Sequence, residues 1–81
     1  MKILVTGGSG FIGSNFILNL FKKNKDVEIT NLDAEFYGSN PLNLSEIENI
    51  ENYKFVKGNI CDASLVDRLV FDCDAVVNFA A

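Results

Sequence analysis

Histidine and tryptophan are absent from these 81 residues, proline occurs once and cysteine twice. Without histidine the chain lacks the commonest general base and the commonest metal ligand, and no metal site is expected. Cys61 and Cys73 are too far apart for a Cys-x-x-Cys redox pair, and no other Cys or His joins them in a zinc site. One disulfide could join them, but two reduced thiols in a cytoplasmic protein are expected. Long apolar runs are missing too. None approaches the roughly 20 residues that span a bilayer, so no membrane partner is expected. Met1-Lys2-Ile3-Leu4-Val5 meets glycine too soon for a signal peptide. Positive charge is also short, at 7 Lys and Arg against 11 Asp and Glu, net −4. Nucleic acid, which needs a clustered basic face, is therefore not an expected partner. What is present is an ordinary globular mixture, 48% hydrophobic and 22% charged, which excludes disordered and collagen-like classes.

The apolar pattern alternates between two periods. Ile3-Leu4-Val5 is a short β-branched run ended by Thr6-Gly7-Gly8, and reads as a strand buried on both faces. Phe11, Ile12, Phe16, Ile17, Leu20 and Phe21 then fall on one broad helical face, with Lys22, Lys23 and Lys25 at its negative end. Val27–Leu32 alternates as a second strand, ending at Asp33. Tyr37 to Pro41 is turn chemistry, and Leu44, Ile47 and Ile50 predict a turn or two of helix. Tyr53–Lys57 is a third strand. Asp62 is placed to cap a short helix carrying Leu65, Val66, Leu69 and Val70, and residues 74–79 form a fourth strand. Strand and helix in alternation predict a parallel α/β sheet with right-handed crossovers. Nothing follows Ala81 to cover the last strand, so residues 1–81 are expected to be the first half of a larger fold.

The turn after the first strand carries the chemistry. Gly7, Gly10 and Gly13 follow a G-x-x-G-x-x-G spacing between strand and helix. Gly7 would allow the sharp turn, Gly10 the close approach of a pyrophosphate, and Gly13 tight packing of the helix. A helix N-terminus there offers unpaired N–H groups to an anion. The bland alternative is a turn that simply needs glycine. A phosphate-binding P-loop is excluded, because Ser14 stands where that loop requires Lys. Asp33 follows Gly13 by 20 positions, where a dinucleotide fold places the acid that accepts from the adenosine ribose hydroxyls. A carboxylate there repels a 2′-phosphate, and Ala34 offers no arginine, so NAD is favoured over NADP. The alternative is a solvated Asp capping a loop.

Thr6-Gly7-Gly8-Ser9-Gly10-Phe11-Ile12-Gly13 is similar to the glycine motif of the extended short-chain dehydrogenases/reductases. The chain resembles in particular the dTDP-glucose 4,6-dehydratases. That likeness rests on Asn31-Leu32-Asp33, on Tyr37 with Asn40, Asn43 and Leu44, on residues 53–62 and on Val77-Asn78-Phe79-Ala80-Ala81. The resemblance implies a Rossmann-like sheet, N-terminal half only, of about four strands in the order 3-2-1-4 with two main helices. It implies NAD as cofactor and a nucleotide sugar of the dTDP-glucose class as substrate. A homodimer is expected separately, because an exposed edge strand invites self-pairing or swapping. Phe11 and Ile12 would offer backbone N–H groups to the pyrophosphate, and Asp33 would hold the ribose. Ala34 to Phe36 would line that pocket, Asn59 and Ile60 would meet the adenine, and Phe79, Ala80 and Ala81 would line the groove toward the nicotinamide. Asn59 replaces the family's usual Asp, and Ala34 and Phe36 replace its usual Lys and Thr.

The family's reaction oxidises the sugar at C4 with NAD, removes water across C5 and C6, and returns the hydride to C6. Its catalytic Tyr-x-x-x-Lys pair is not expected within these residues. Tyr53 and Lys57 match it by spelling, but in a strand they would stand about 13 Å apart. The chain alone is therefore expected to be inactive. Three alternatives stay open: a nucleotide-sugar 4-epimerase of the same superfamily, an inactive self-associating fragment, and an unrelated α/β domain with a chance glycine turn.

Overall fold

The computed structural model describes residues 1–24, 26–34, 44, 47 and 49–79. The β-branched start forms β1 (Lys2–Thr6), and the helix after the glycine turn is α1 (Phe11–Lys23). β2 (Glu28–Asp33) and β3 (Tyr53–Lys57) follow, then α2 (Ala63–Phe71) and β4 (Ala75–Asn78). All pairings are parallel, in the order β3-β2-β1-β4. The expected architecture and strand order are therefore present, with boundaries shifted by a residue at β2 and β4.

Register explains the core. Ile3, Ile29, Tyr53 and Ala75 lie side by side across the sheet, as do Val5, Asn31, Phe55 and Val77. Side chains alternate faces along a strand, so these rows share the face covered by α1. There Ile17 is buried against Ile3, Val5, Val27 and Ile29, with Phe16, Leu20 and Phe21 packed around it. Leu44 and Ile47 also reach this cluster, as their spacing predicts, whereas Ile50 is exposed. The other predicted residues of that short helix and of the preceding turn lie outside the described residues.

Leu4 and Leu32 point to the opposite face and are fully buried. Leu65 of α2 and Leu32 fill the space beside Gly58. Asp62 caps α2 as expected, its carboxylate accepting the Leu65 N–H at 3.2 Å. Cover is thinner here: no α2 residue is fully buried, and Val70, Phe71 and Val76 are exposed.

One expectation fails. Phe11 and Ile12 do not join the buried helical face; they are 77% and 69% exposed. They belong to the first turn of α1, next to its Gly10 N-cap, and are not among the residues packed on the core cluster. Gly13, the next residue, is in contrast jammed against the turn. A Cβ there would lie 2.5 Å from the Gly7 carbonyl oxygen and 2.8 Å from the Gly8 Cα. Both are backbone atoms that cannot swing aside. Gly13→Ala is therefore expected to cost about 1–3 kcal/mol by overpacking, read by urea unfolding of the full chain.

Candidate functional site

Because the strands are parallel, their C-terminal ends gather at one edge of the sheet. The turn after β1, the end of β2, the turn after β3 and the residue after β4 all lie there. Open α/β sheets bind ligands at this edge.

The chain leaves β1 through Gly7, whose φ of 73° is a left-handed conformation that glycine adopts at no steric cost. Its N–H still reaches the Leu32 carbonyl, at 2.9 Å. The next two amides lie past the strand ladder and are taken by β2 side chains. Gly8 N–H donates to Asn31 Oδ1 at 2.9 Å, and Ser9 N–H to Asp33 Oδ2 at 2.8 Å. Asn31 Nδ2 donates to Ser9 Oγ at 3.3 Å and to the Tyr53 hydroxyl at 3.1 Å. Asn31 is fully buried and Asp33 is 7% exposed, so Asp33 is no solvated loop acid.

The start of α1 is built differently. Its N-cap is Gly10, no side chain caps it, and its first turn holds no acid. Among the described residues no hydrogen bond from the Phe11, Ile12 or Gly13 N–H is present; the ladder starts with Ser14 N–H to the Gly10 carbonyl, at 2.9 Å. Gly10 has a φ of −75° and ψ of 173°, open to any residue. Among the described residues a Cβ on it would meet only the Gly7 carbonyl oxygen, at an ordinary 3.6 Å. Neither its conformation nor its packing among the described residues requires glycine there.

Gly7, Gly10, Phe11, Ile12, Gly13 and Asp33 are thus brought together, as expected. Ala34 follows Asp33 and is half-buried. Asn59 and Ile60 sit in the turn after β3, where Asn59 Oδ1 accepts the Cys61 N–H at 2.8 Å. Phe79 follows β4, its N–H bonded to the Thr6 carbonyl at 2.8 Å and its ring 5.4 Å from that of Phe16. Phe36, Ala80 and Ala81 lie outside the described residues. Sequence reasoning missed Asn31, Ser9 and Tyr53. A signal for Asn31 was available: alternation from Val27 and Ile29 puts residue 31 on the buried face, where a carboxamide needs partners.

Elsewhere, Cys61 and Cys73 are free thiols. Burial, aided by Asp72 and Asp74 and opposed by Lys2, pushes the Cys73 thiol above its ordinary range. Tyr53 and Lys57 lie on β3, not on a helix. A hollow lined by Lys2, Glu28, Arg68, Leu69 and Asp72 opens at the opposite end of the strands and touches none of the predicted site residues. Among the described residues there is no metal-binding cluster and no helix long and apolar enough to cross a membrane.

The family model for GDP-mannose 4,6 dehydratase matches residues 4–81. The chain belongs to that family. A dTDP-glucose 4,6-dehydratase of Streptomyces niveus is 47% identical over 85 residues, covering all of this chain and 25% of that protein. The low-salt glycan biosynthesis protein Agl12 of Haloferax volcanii is 49% identical over 81 residues, again all of this chain, and 26% of that one. The fold matches the dTDP-glucose 4,6-dehydratase of Bacillus anthracis solved with NAD, at TM-score 0.93 and 43% identity, covering 100% of this chain and 27% of the other. It also matches the UDP-glucuronic acid 4-epimerase of Bacillus cereus solved with NAD, at TM-score 0.85 and 32% identity, over 100% and 27%. The chain therefore spans about a quarter of the length of the relatives it matches.

The Tyr53 hydroxyl at the foot of this site is measurable. Burial pushes its pKa above the ordinary 10.0; the Asn31 hydrogen bond opposes this and the Asp33 carboxylate adds to it. The folded state then keeps the proton longer than the unfolded chain, so stability is full below about pH 10 and falls as pH rises beyond it. Absorbance at 295 nm should show a late-titrating tyrosine that Tyr53→Phe removes, together with a flatter alkaline loss of stability.

Proposed function

We propose that residues 1–81 form the N-terminal half of an NAD-binding domain whose parent enzyme is a nucleotide-sugar 4,6-dehydratase of the dTDP-glucose class. Gly10 carries this reading. It is a glycine that the described part of the fold does not need, placed beside helix amides that have no acceptor among the described residues. An approaching diphosphate supplies the missing reason for both. The amides of Phe11 and Ile12 would hold that diphosphate, each charge interaction with the helix end being worth roughly 0.3–1 kcal/mol.

Asp33, fixed by the Ser9 amide, would take the adenosine ribose and disfavour a 2′-phosphate. Ala34 and Phe36 would flank that pocket, Asn59 and Ile60 would face the adenine, and Phe79, Ala80 and Ala81 would line the way to the nicotinamide. Bound NAD would supply a reversible hydride acceptor for oxidation at the sugar's C4. The parent is further proposed to be a lyase, homodimeric and cytoplasmic, with no turnover from residues 1–81 alone. Likeness to the solved epimerase supports a second reading, a nucleotide-sugar 4-epimerase, for which the same cofactor half would serve. Turnover of dTDP-glucose against UDP-glucose by the full chain separates the two.

Calorimetric titration of the full chain tests the cofactor half. Gly10→Ser is expected to leave urea stability within about 0.5 kcal/mol or raise it, since Ser is a better N-cap than Gly. NAD should nevertheless bind at least about tenfold more weakly, a difference of about 1.4 kcal/mol. Asp33→Asn keeps an acceptor for the Ser9 N–H while removing the charge, so NADP should gain on NAD by a similar factor. A wild-type chain that binds NADP as tightly as NAD, or a Gly10→Ser variant with undiminished affinity, would overturn the assignment.

A further inference from the structure

We infer that Asn31 is a positioning residue for the diphosphate-binding amides, and that Tyr53 locks it in place; the inference rests on the proposed NAD site. A carboxamide has one acceptor atom and two donor hydrogens. In Asn31 all are engaged. Oδ1 takes the Gly8 N–H at 2.9 Å, and Nδ2 donates to Ser9 Oγ at 3.3 Å and to the Tyr53 hydroxyl at 3.1 Å. The Gly8 amide can donate only to oxygen, which fixes the orientation of the group.

The contact is close enough that a side chain at position 8 would have to push the Asn31 carboxamide or the Ile17 side chain aside. A Cβ on Gly8 would fall on Asn31 Oδ1 and on the Ile17 Cδ1 methyl. The turn is thus drawn down onto β2 until its backbone touches the carboxamide. With the Gly8 and Ser9 amides turned inward, the turn enters α1 in one orientation, and that orientation aims the Phe11 and Ile12 amides. Tyr53 holds the far side of the carboxamide from β3. Its ring stands edge-on to Phe21 of α1, with centroids 6.4 Å apart. Strand β3, strand β2 and the turn are joined through this one side chain, and α1 is joined to it through Tyr53.

The test measures dissociation constants of ADP and of adenosine, each in competition with NAD, for the full chain and its Asn31→Ala and Tyr53→Phe variants. ADP reports the diphosphate subsite and adenosine the ribose and base alone. Asn31→Ala should weaken ADP about tenfold or more while adenosine changes less than about threefold. Tyr53→Phe removes one rung without emptying space, and should weaken ADP about threefold with adenosine unchanged. Loss of both ligands in equal proportion would reduce Asn31 to a general structural role, and undiminished ADP binding would remove its role altogether; either overturns the inference. If Asn31→Ala does not fold, Tyr53→Phe decides by the same criterion. A wild-type chain that binds neither NAD nor ADP fails the underlying NAD reading instead, and the inference falls with it.

Discussion

Two backbone N–H groups just past the end of β1 set the terms for this structure. The ladder carries the chain as far as Gly7, whose N–H still finds Leu32. The amides of Gly8 and Ser9 are buried and have no strand to pair with. Each would cost about 1–3 kcal/mol if left without an acceptor. Asn31 and Asp33 supply the acceptors. They stand two residues apart, so the pleat of β2 points both at the same face. The turn can lie flat on the sheet only because β2 carries short polar side chains at those two places.

That arrangement divides the labour between the two helices. α2 closes its own N-terminus with Asp62. α1 starts on Gly10 with no side-chain cap, although a serine lies next door. Ser9 is occupied elsewhere: its N–H is held by Asp33, and its hydroxyl accepts from Asn31. These polar groups of the turn face β2, while the Phe11, Ile12 and Gly13 amides have no acceptor among the described residues. Asp33 stabilises the turn and also places a carboxylate at the rim of the proposed site. Under the proposed reading a negative charge there would tolerate a neutral ribose and disfavour an added phosphate, so one side chain would link the shape of the loop to the choice of cofactor.

The fold was legible because its signals are local and repeated. Ile3-Leu4-Val5, Val27–Leu32 and Tyr53–Lys57 alternate or cluster as strands must, and the intervening patterns have helical period. The glycines and Asp33 were legible because their spacing reflects the fixed geometry of one βαβ unit. Asn31 was not, although it lies two residues before Asp33. Its role depends on register, which puts Val5, Asn31 and Phe55 in one row, and on a tyrosine 22 positions away in sequence. Periodicity shows which face a residue takes and does not show which neighbours share it. Phe11 and Ile12 misled for a related reason. Helical spacing puts Ile12 in line with Phe16 and Leu20, but only Phe16 and Leu20 pack on the core cluster.

The glycines of the motif look alike when spelled and differ in cause. Gly7 answers to backbone conformation, because its φ is positive. Gly8 and Gly13 answer to packing, since a Cβ on either collides with atoms of the turn, the helix or β2. Gly8 lies outside the 7-10-13 spacing, yet it makes the tightest contact with β2. Gly7 and Gly13 are thus required by the backbone itself, and Gly8 by the side chains of Asn31 and Ile17 that close over it. Gly10 differs from them: its φ is ordinary and, among the described residues, a Cβ on it would make only an ordinary contact, which is the feature on which the proposed diphosphate site rests. A glycine motif therefore carries functional information only at the position where the fold itself would accept a side chain.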